Sequence, residues 1–266
     1  MLFRSGERLA DWAYALVVEN GHQQYDRFPA LDAAWPRIAA ALPVLLAGDN
    51  LRLQAAGDAL NSFLDFSGRW DDGLALGIAA EARAVLARDH GKAGWRAQQL
   101  GYLHLLRGQS ADVLTCADRA AEHWATAHTG ARERAVALRL RGRGHHVAKD
   151  YLAAMDTTRE ALGLFRSVSN ESDDVAICLN DLGATQQACF QYGEAESSFS
   201  EALAMASALA DREGIAIYTG NLAELAIHRE QWPEAEGLAR QALLLAEKLG
   251  RQELIASAER RCGAQQ

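Results

Sequence analysis

The chain has 266 residues, of which 49% are hydrophobic, and a formal net charge of -8. This acidic balance argues against a nucleic-acid partner, because binding to a phosphate backbone depends on counterion release by clustered lysines and arginines. No run of about 18 uncharged apolar residues is present and the start has no signal-peptide pattern, so we expect a soluble, cytoplasmic protein without a membrane partner.

The predicted elements are all helices. Residues 1–50 precede the repeats, and their assignment to a lead-in helical hairpin, with segments at residues 7–20 and 28–47, is implied by a family resemblance described below. Residues 51–250 show helical spacing in pairs of segments separated by short turns, which predicts five more hairpins. Residues 251–266 predict a polar capping helix, and the alternative is the first helix of a sixth hairpin in a fragment of a longer array.

A glycine or another short residue lies at the same place in the first helix of each predicted hairpin, and we call it the repeat mark. It recurs at intervals of 40 or 41 residues, at Asn61, Gly101, Gly142, Gly183 and Ala223. In four copies an aromatic residue precedes the second helix, namely Trp70, Tyr151, Tyr192 and Trp232. Because a lone hairpin leaves its apolar surface in water, the period predicts hairpins that stack side by side into an all-α fold.

The pattern resembles the tetratricopeptide repeat, whose first helix carries a Leu-Gly pair and whose second helix carries small, aromatic and small residues. Leu182, Gly183, Ala195, Phe199 and Ala202 match those positions, and the 40–41-residue length resembles the extended variety of the repeat. The resemblance implies an α-α superhelix, a right-handed solenoid of antiparallel hairpins that is continuous over the whole chain.

A narrower resemblance concerns bacterial signalling NTPases of the STAND or NB-ARC-like kind. Residues 209–216 are similar to the linkers between the repeats that follow the ATPase module in those proteins, and residues 30–38 are similar to their lead-in hairpin. This resemblance implies a C-terminal sensor region, with any ATPase outside this sequence.

The sequence offers no candidate for catalysis, a cofactor or a metal. It lacks the Gly-x-x-x-x-Gly-Lys-Ser/Thr loop of ATPases, a Cys-x-x-Cys pair, and two histidines spaced i, i+4. We interpret the four cysteines as small buried residues. The pairs at residues 71–72 and 173–174 are carboxylates at predicted helix starts, where they stabilise exposed backbone N–H groups.

The candidate site follows from the resemblance, which places the inner, concave surface on the first helices. The implied partner-binding residues are Asp58, Ser62, Asp65, Gln98, Tyr102, Arg139, Arg143, His146, Asn180, Gln187, Glu224 and His228. Arg139 and Arg143 are four residues apart and could clamp a carboxylate or phosphate. The alternative is that both pair with nearby acidic side chains.

Three hypotheses for function remain at this point. The first is a non-enzymatic scaffold or sensor region of a bacterial signal-transduction protein, which binds a protein or peptide through its concave surface. The second is a stand-alone regulator that senses a small molecule or signalling peptide. The third is an enzyme, for which the sequence supplies no cluster of titratable groups.

Overall fold

The computed structural model describes residues 2–250 and 252–263, and within them it contains α-helices, one 3-10 turn and no strand. The all-α prediction is confirmed. The chain divides into two compact units, residues 1–129 and residues 130–266. Arg251 and residues 264–266 of the predicted capping segment, together with Met1, lie outside the described residues.

Unit 1 consists of three helical hairpins. After α1, a 3-10 turn at Tyr25–Arg27 leads into α2. The helices are α1 (Leu2–Asn20), α2 (Phe28–Ala47), α3 (Asn50–Phe66), α4 (Trp70–Leu86), α5 (His90–Leu106) and α6 (Ser110–Thr126). Each helix packs on the next, and the first helices α1, α3 and α5 also contact one another in sequence.

Unit 2 repeats this arrangement and adds a helix. Its helices are α7 (Ala131–Val147), α8 (Tyr151–Val168), α9 (Asp173–Ala188), α10 (Tyr192–Ala208), α11 (Arg212–His228), α12 (Trp232–Leu249) and α13 (Gln252–Gly263). The first helices α7, α9, α11 and α13 contact one another in succession, and α13 also packs on α12.

Helix starts and ends follow from local chemistry. Asp and Ser side chains accept hydrogen bonds from the first-turn N–H groups, as at Asp49, Asp89, Asp150, Ser172 and Asp211. The acidic pairs at 71–72 and 173–174 lie in the first turns of α4 and α9, as the sequence predicts.

Most hairpin turns share one backbone motif. A residue with φ near +60° is followed by a residue whose N–H donates to the carbonyl five positions earlier, as from Gln191 to Gln186 at 2.9 Å. Glycine occupies the first position in two turns, Gly68 and Gly108. Phe190 occupies it in the α9–α10 turn, although a bulky side chain is unfavourable there.

The marked small residues bring the two helices of a hairpin close together. A Cβ added to Gly183 would lie 2.7 Å from the Phe199 ring, and one added to Gly142 would lie 2.4 Å from Thr158 Oγ1. Phe199 is 1% exposed, so its ring fills the space that the glycine leaves open. Gly142 and Gly183 are therefore positions of close packing between the two helices of their hairpins.

The core of unit 1 includes the apolar side of α2. By length and composition alone, Tyr25–Ala47 is apolar enough to cross a membrane, although Asp32 and Arg37 interrupt its apolar run. Its Leu31, Trp35 and Ile38 are nevertheless buried in the hydrophobic cluster with side chains of α1 and α3. Core helices of soluble proteins share this composition, and burial accounts for these three apolar side chains of α2.

A buried arginine joins α5 to α3. Arg96 is 2% exposed, and its guanidinium donates to the Gln54 side chain at 2.7 Å and to the Gln54 carbonyl at 2.6 Å. It also lies 2.8 Å from Asp58, which accepts from Lys92 as well. Burial lowers the Arg96 pKa while Asp58 raises it. A Cβ at Gly57 would lie 3.1 Å from the guanidinium, so a glycine gives Arg96 its space.

We expect Gly183→Leu to lower the free energy of unfolding by about 1–3 kcal/mol or more, because the added side chain overpacks the contact with Phe199. The matched control is Gly163→Leu, at an exposed position of α8 where an added Cβ meets nothing within 4 Å. That variant should gain about 0.5–1 kcal/mol from helix propensity. Urea denaturation measures both, and equal stabilisation by the two would contradict the close contact.

We expect Arg96→Met to cost about 3 kcal/mol of unfolding free energy, because it leaves buried acceptors without their donor. Arg107→Met provides the comparison, since Arg107 pairs with the 93%-exposed Asp71 at 2.7 Å and should contribute at most about 1 kcal/mol. Thermal and urea unfolding of both variants separate the two cases. Similar small losses would show that Arg96 does not hold α5 on α3.

Candidate functional site

A groove in unit 2 brings together side chains from three successive first helices. Its volume is about 410 Å³. It is lined by His146, Ala184, Gln187, Ala188, Phe190, Tyr192, Phe199, Asn221, Glu224 and His228. Four of the twelve residues predicted for partner binding lie here, namely His146, Gln187, Glu224 and His228. We refer to it as the unit 2 groove.

His146 presents a hydrogen-bond acceptor. Its Nδ1 lies 3.0 Å from Thr185 Oγ1, and the Thr185 hydroxyl donates to the Asp181 carbonyl at 2.9 Å. Because the hydroxyl hydrogen is already used, Nδ1 must be the donor, and the lone pair of a neutral ring is on Nε2. Burial lowers the pKa of His146, with a smaller opposing effect of Asp181 and a lowering effect of Arg143. The neutral ring is therefore favoured at neutral pH.

Aromatic side chains form one wall of the unit 2 groove. The ring of Tyr192 stacks on His228 with centroids 6.3 Å apart and an interplanar angle of 15°. Phe190 meets Tyr192 edge to face and is 78% exposed. The left-handed backbone at Phe190 is the one that most hairpin turns share, and at this turn it presents a large apolar ring to solvent.

A chain of hydrogen bonds also reaches the unit 2 groove. Asn221 Nδ2 donates to Asn180 Oδ1 at 2.6 Å, and its own Oδ1 accepts from Arg261 Nη2 at 3.2 Å. Arg261, on α13, also donates to Glu224 Oε2 from Nε at 3.2 Å and from Nη2 at 2.8 Å. The predicted residue Asn180 is thus linked to the groove through Asn221, which sequence reasoning missed.

Arg139 and Arg143 lie on α7, close to an acidic residue of α9. Arg143 Nε is 3.9 Å from Asp181 Oδ1, and both side chains are at least partly buried. Arg139 has a buried Nη1 without a hydrogen-bond partner among the described residues. The position of Arg143 agrees with the alternative interpretation, pairing with a nearby acid.

The remaining predicted residues lie in unit 1, on α3 and α5. Asp58 is paired with Lys92 and Arg96, as described above. The others are half-buried: Ser62, Asp65, Gln98 and Tyr102. The unit 1 positions therefore include a carboxylate that already neutralises two cations.

A second polar cluster in unit 1 was not predicted. Glu81 accepts from Arg119 at 2.9 and 3.0 Å and lies 3.2 Å from His123 Nε2. His123 Nδ1 in turn lies 3.5 Å from His90 Nδ1. Glu81 is 8% exposed, so this cluster joins α4, α5 and α6 from within.

The cysteines provide no activated nucleophile in the described structure. Cys116 and Cys178 are buried as predicted, whereas Cys189 and Cys262 are only partly buried. Burial raises the pKa of the Cys116 thiol and raises that of Cys178 to about 12, so both are protonated at neutral pH. Among the described residues, no group of three or more His, Cys, Asp or Glu side chains could hold a metal ion.

Comparison with known proteins gives a match to one family model. Residues 176–248, which include α10, α11 and most of α9 and α12, match the tetratricopeptide repeat. A search of curated protein sequences finds no match.

Several solved structures are similar in fold. BtubC (BKLC) from P. vanneervenii is 18% identical, with a TM-score of 0.64 and coverage of 84% of this chain and 92% of that one. A Rap protein complexed with Competence and Sporulation Factor is 10% identical, with a TM-score of 0.71 and coverage of 96% and 80%.

A third similar structure is a signal transduction ATPase with numerous domains, a STAND protein with a tetratricopeptide repeat sensor, from Pyrococcus horikoshii. It is 13% identical with a TM-score of 0.63, and the match covers 89% of this chain but only 36% of that one. The helical hairpins, the family match and these structures agree: the chain is a tetratricopeptide-type repeat protein in fold, and residues 176–248 carry the sequence pattern of the family.

Proposed function

We propose that the chain is a non-enzymatic scaffold that binds a protein or peptide segment in the unit 2 groove. The observation that carries this proposal is the combination of aromatic surface and unused hydrogen-bonding capacity on one wall. His146 Nε2 and the Gln187 side chain have no hydrogen-bond partner among the described residues. A peptide supplies the missing donors and acceptors from its backbone and the apolar contact from its side chains.

The dimensions of the unit 2 groove support a short recognition segment. Its volume of about 410 Å³ lies within the range of about 300–1,000 Å³ typical of ligand pockets, which is room for a few side chains. Phe190 and Tyr192 provide rigid aromatic surface of the kind that often dominates binding energy. The concave surface inferred from the sequence would then be represented by this groove.

We further propose that this binding serves bacterial signal transduction in the cytoplasm. The similarity to the tetratricopeptide repeat sensor of the STAND protein supports a sensor region, and that ATPase extends well beyond the matched part. The Rap structure supports the second hypothesis, a stand-alone regulator that senses a signalling peptide, because that protein was solved with Competence and Sporulation Factor.

A display selection tests peptide binding directly. Random 12-residue peptides are selected on the immobilised full chain, and the affinities of enriched peptides are measured by fluorescence anisotropy. We expect Gln187→Ala and Phe190→Ala each to weaken binding about tenfold, which corresponds to about 1.4 kcal/mol for one lost contact. Both side chains are at least partly accessible, so the thermal unfolding midpoint should change little.

The matched control is Gln241→Ala on α12, an exposed glutamine that lines no part of the unit 2 groove. It should bind the selected peptides like the original chain. Peptides that bind equally to all three variants would exclude this groove as the binding site. Enrichment of no peptide at all would contradict the scaffold proposal.

A further inference from the structure

Apart from the basic helix α7, the elements that form the unit 2 groove carry an excess of negative charge. Residues 173–236 contain twelve Asp or Glu residues against two cationic ones, Arg212 and Arg229. Arg229 is already paired with Glu196. The preceding hairpin is basic, but Arg132 pairs with Asp174 at 2.6 Å and Arg166 with Glu201 at 2.5 Å. These ion pairs compensate only part of the acidic excess on α9 to α12.

The Glu224 side chain lines this groove and is fixed there by hydrogen bonds from Arg261. Both hydrogen bonds from Arg261 go to its Oε2, so Oε1 has no contact with that guanidinium. The side chain remains 46% exposed, and it is one of the groove-lining residues. A carboxylate already fixed by hydrogen bonds loses less conformational entropy when it binds a second cation.

Arg261 demonstrates that this wall accommodates a guanidinium. A Cβ at Gly220 would lie 2.8 Å from Arg261 Nη1, so the glycine leaves space for the arginine side chain beside α11. The same guanidinium hydrogen-bonds Asn221 and Glu224, an amide and a carboxylate oxygen. The polar atoms on this side of the groove are thus arranged as acceptors for a planar cation.

The remaining features of the groove favour the same type of ligand. The neutral ring of His146 offers an acceptor at Nε2, and the faces of Phe190 and Tyr192 attract cations through their π electrons. A lysine or arginine has a positive head with several donors and an apolar stem that packs along aromatic rings. An acidic side chain would meet the Glu224 carboxylate, and the nearby Arg261 guanidinium already donates to Glu224 and Asn221.

We propose that the unit 2 groove recognises a positively charged side chain, lysine or arginine, that lies next to an apolar residue in the peptide partner. Glu224 supplies the counter-charge, and Phe190 and Tyr192 supply the apolar surface. This inference rests on the proposed function, since it specifies the peptide that the groove binds.

The composition of the selected peptides provides the first test. Peptides enriched on the full chain should contain Lys or Arg well above their frequency in the library, next to an apolar residue. They should lose this excess when the selection is repeated on Glu224→Gln. Enriched peptides that are neutral or acidic, and that still depend on Gln187 and Phe190, would overturn the charge preference while the scaffold proposal stands. The absence of groove-dependent peptides would overturn both.

Isothermal titration calorimetry with one selected cationic peptide provides the second test. We expect Glu224→Gln to weaken binding about tenfold and the affinity to fall as salt concentration rises. Glu247→Gln, at an exposed position of α12 outside the groove, makes the same change in net charge and should alter affinity less than twofold. Equal losses in the two variants would reveal general attraction to an acidic protein and would overturn the role of Glu224.

Discussion

The distance between the two helices of a hairpin is the constraint on which the other features depend. At Gly142 and Gly183 the first helix carries no side chain, so Thr158 and Phe199 of the second helix pack directly against its backbone. Both contacts join residues 16 positions apart, and the two glycines are 41 residues apart. Equal contacts at equal intervals give the hairpins similar geometry, which is what allows the first helices of successive hairpins to pack side by side.

This repetition explains how much of the fold could be predicted. The all-α fold follows from the period, because a hairpin whose Gly142 or Gly183 packs on its second helix recurs at a set distance. The apolar character of α2 was harder to interpret, since a core helix and a membrane span share the same composition. In the structure, Trp35 and Ile38 are buried in the core of unit 1. The continuous solenoid stays a prediction.

The same period could also have predicted the polar contacts between hairpins that sequence reasoning missed. Hydrogen bonds between neighbouring hairpins join residues about one repeat apart: 42 for Arg96 and Gln54, 41 for Asn221 and Asn180, and 38 for Arg119 and Glu81. Pairing each polar residue with the position one repeat later would have suggested these partners. It would not have indicated Phe190 or Tyr192, because their exposure depends on the turn conformation rather than on helix register.

These contacts also distinguish residues that stabilise the packing of the hairpins from residues that are available to bind a partner. Asp58 occupies a position that the family geometry assigns to binding, yet it is paired with Lys92 and with the buried Arg96. Gln187 occupies a comparable position in unit 2 and has no hydrogen-bond partner among the described residues. A buried polar group must have a hydrogen-bond partner. The evolution of a binding groove in such an array therefore requires first-helix positions whose polar side chains are left without a partner by the packing of the helices. Glu224 combines the two roles. One carboxylate oxygen accepts a hydrogen bond from Arg261 on α13, and the other is the one we propose for the ligand.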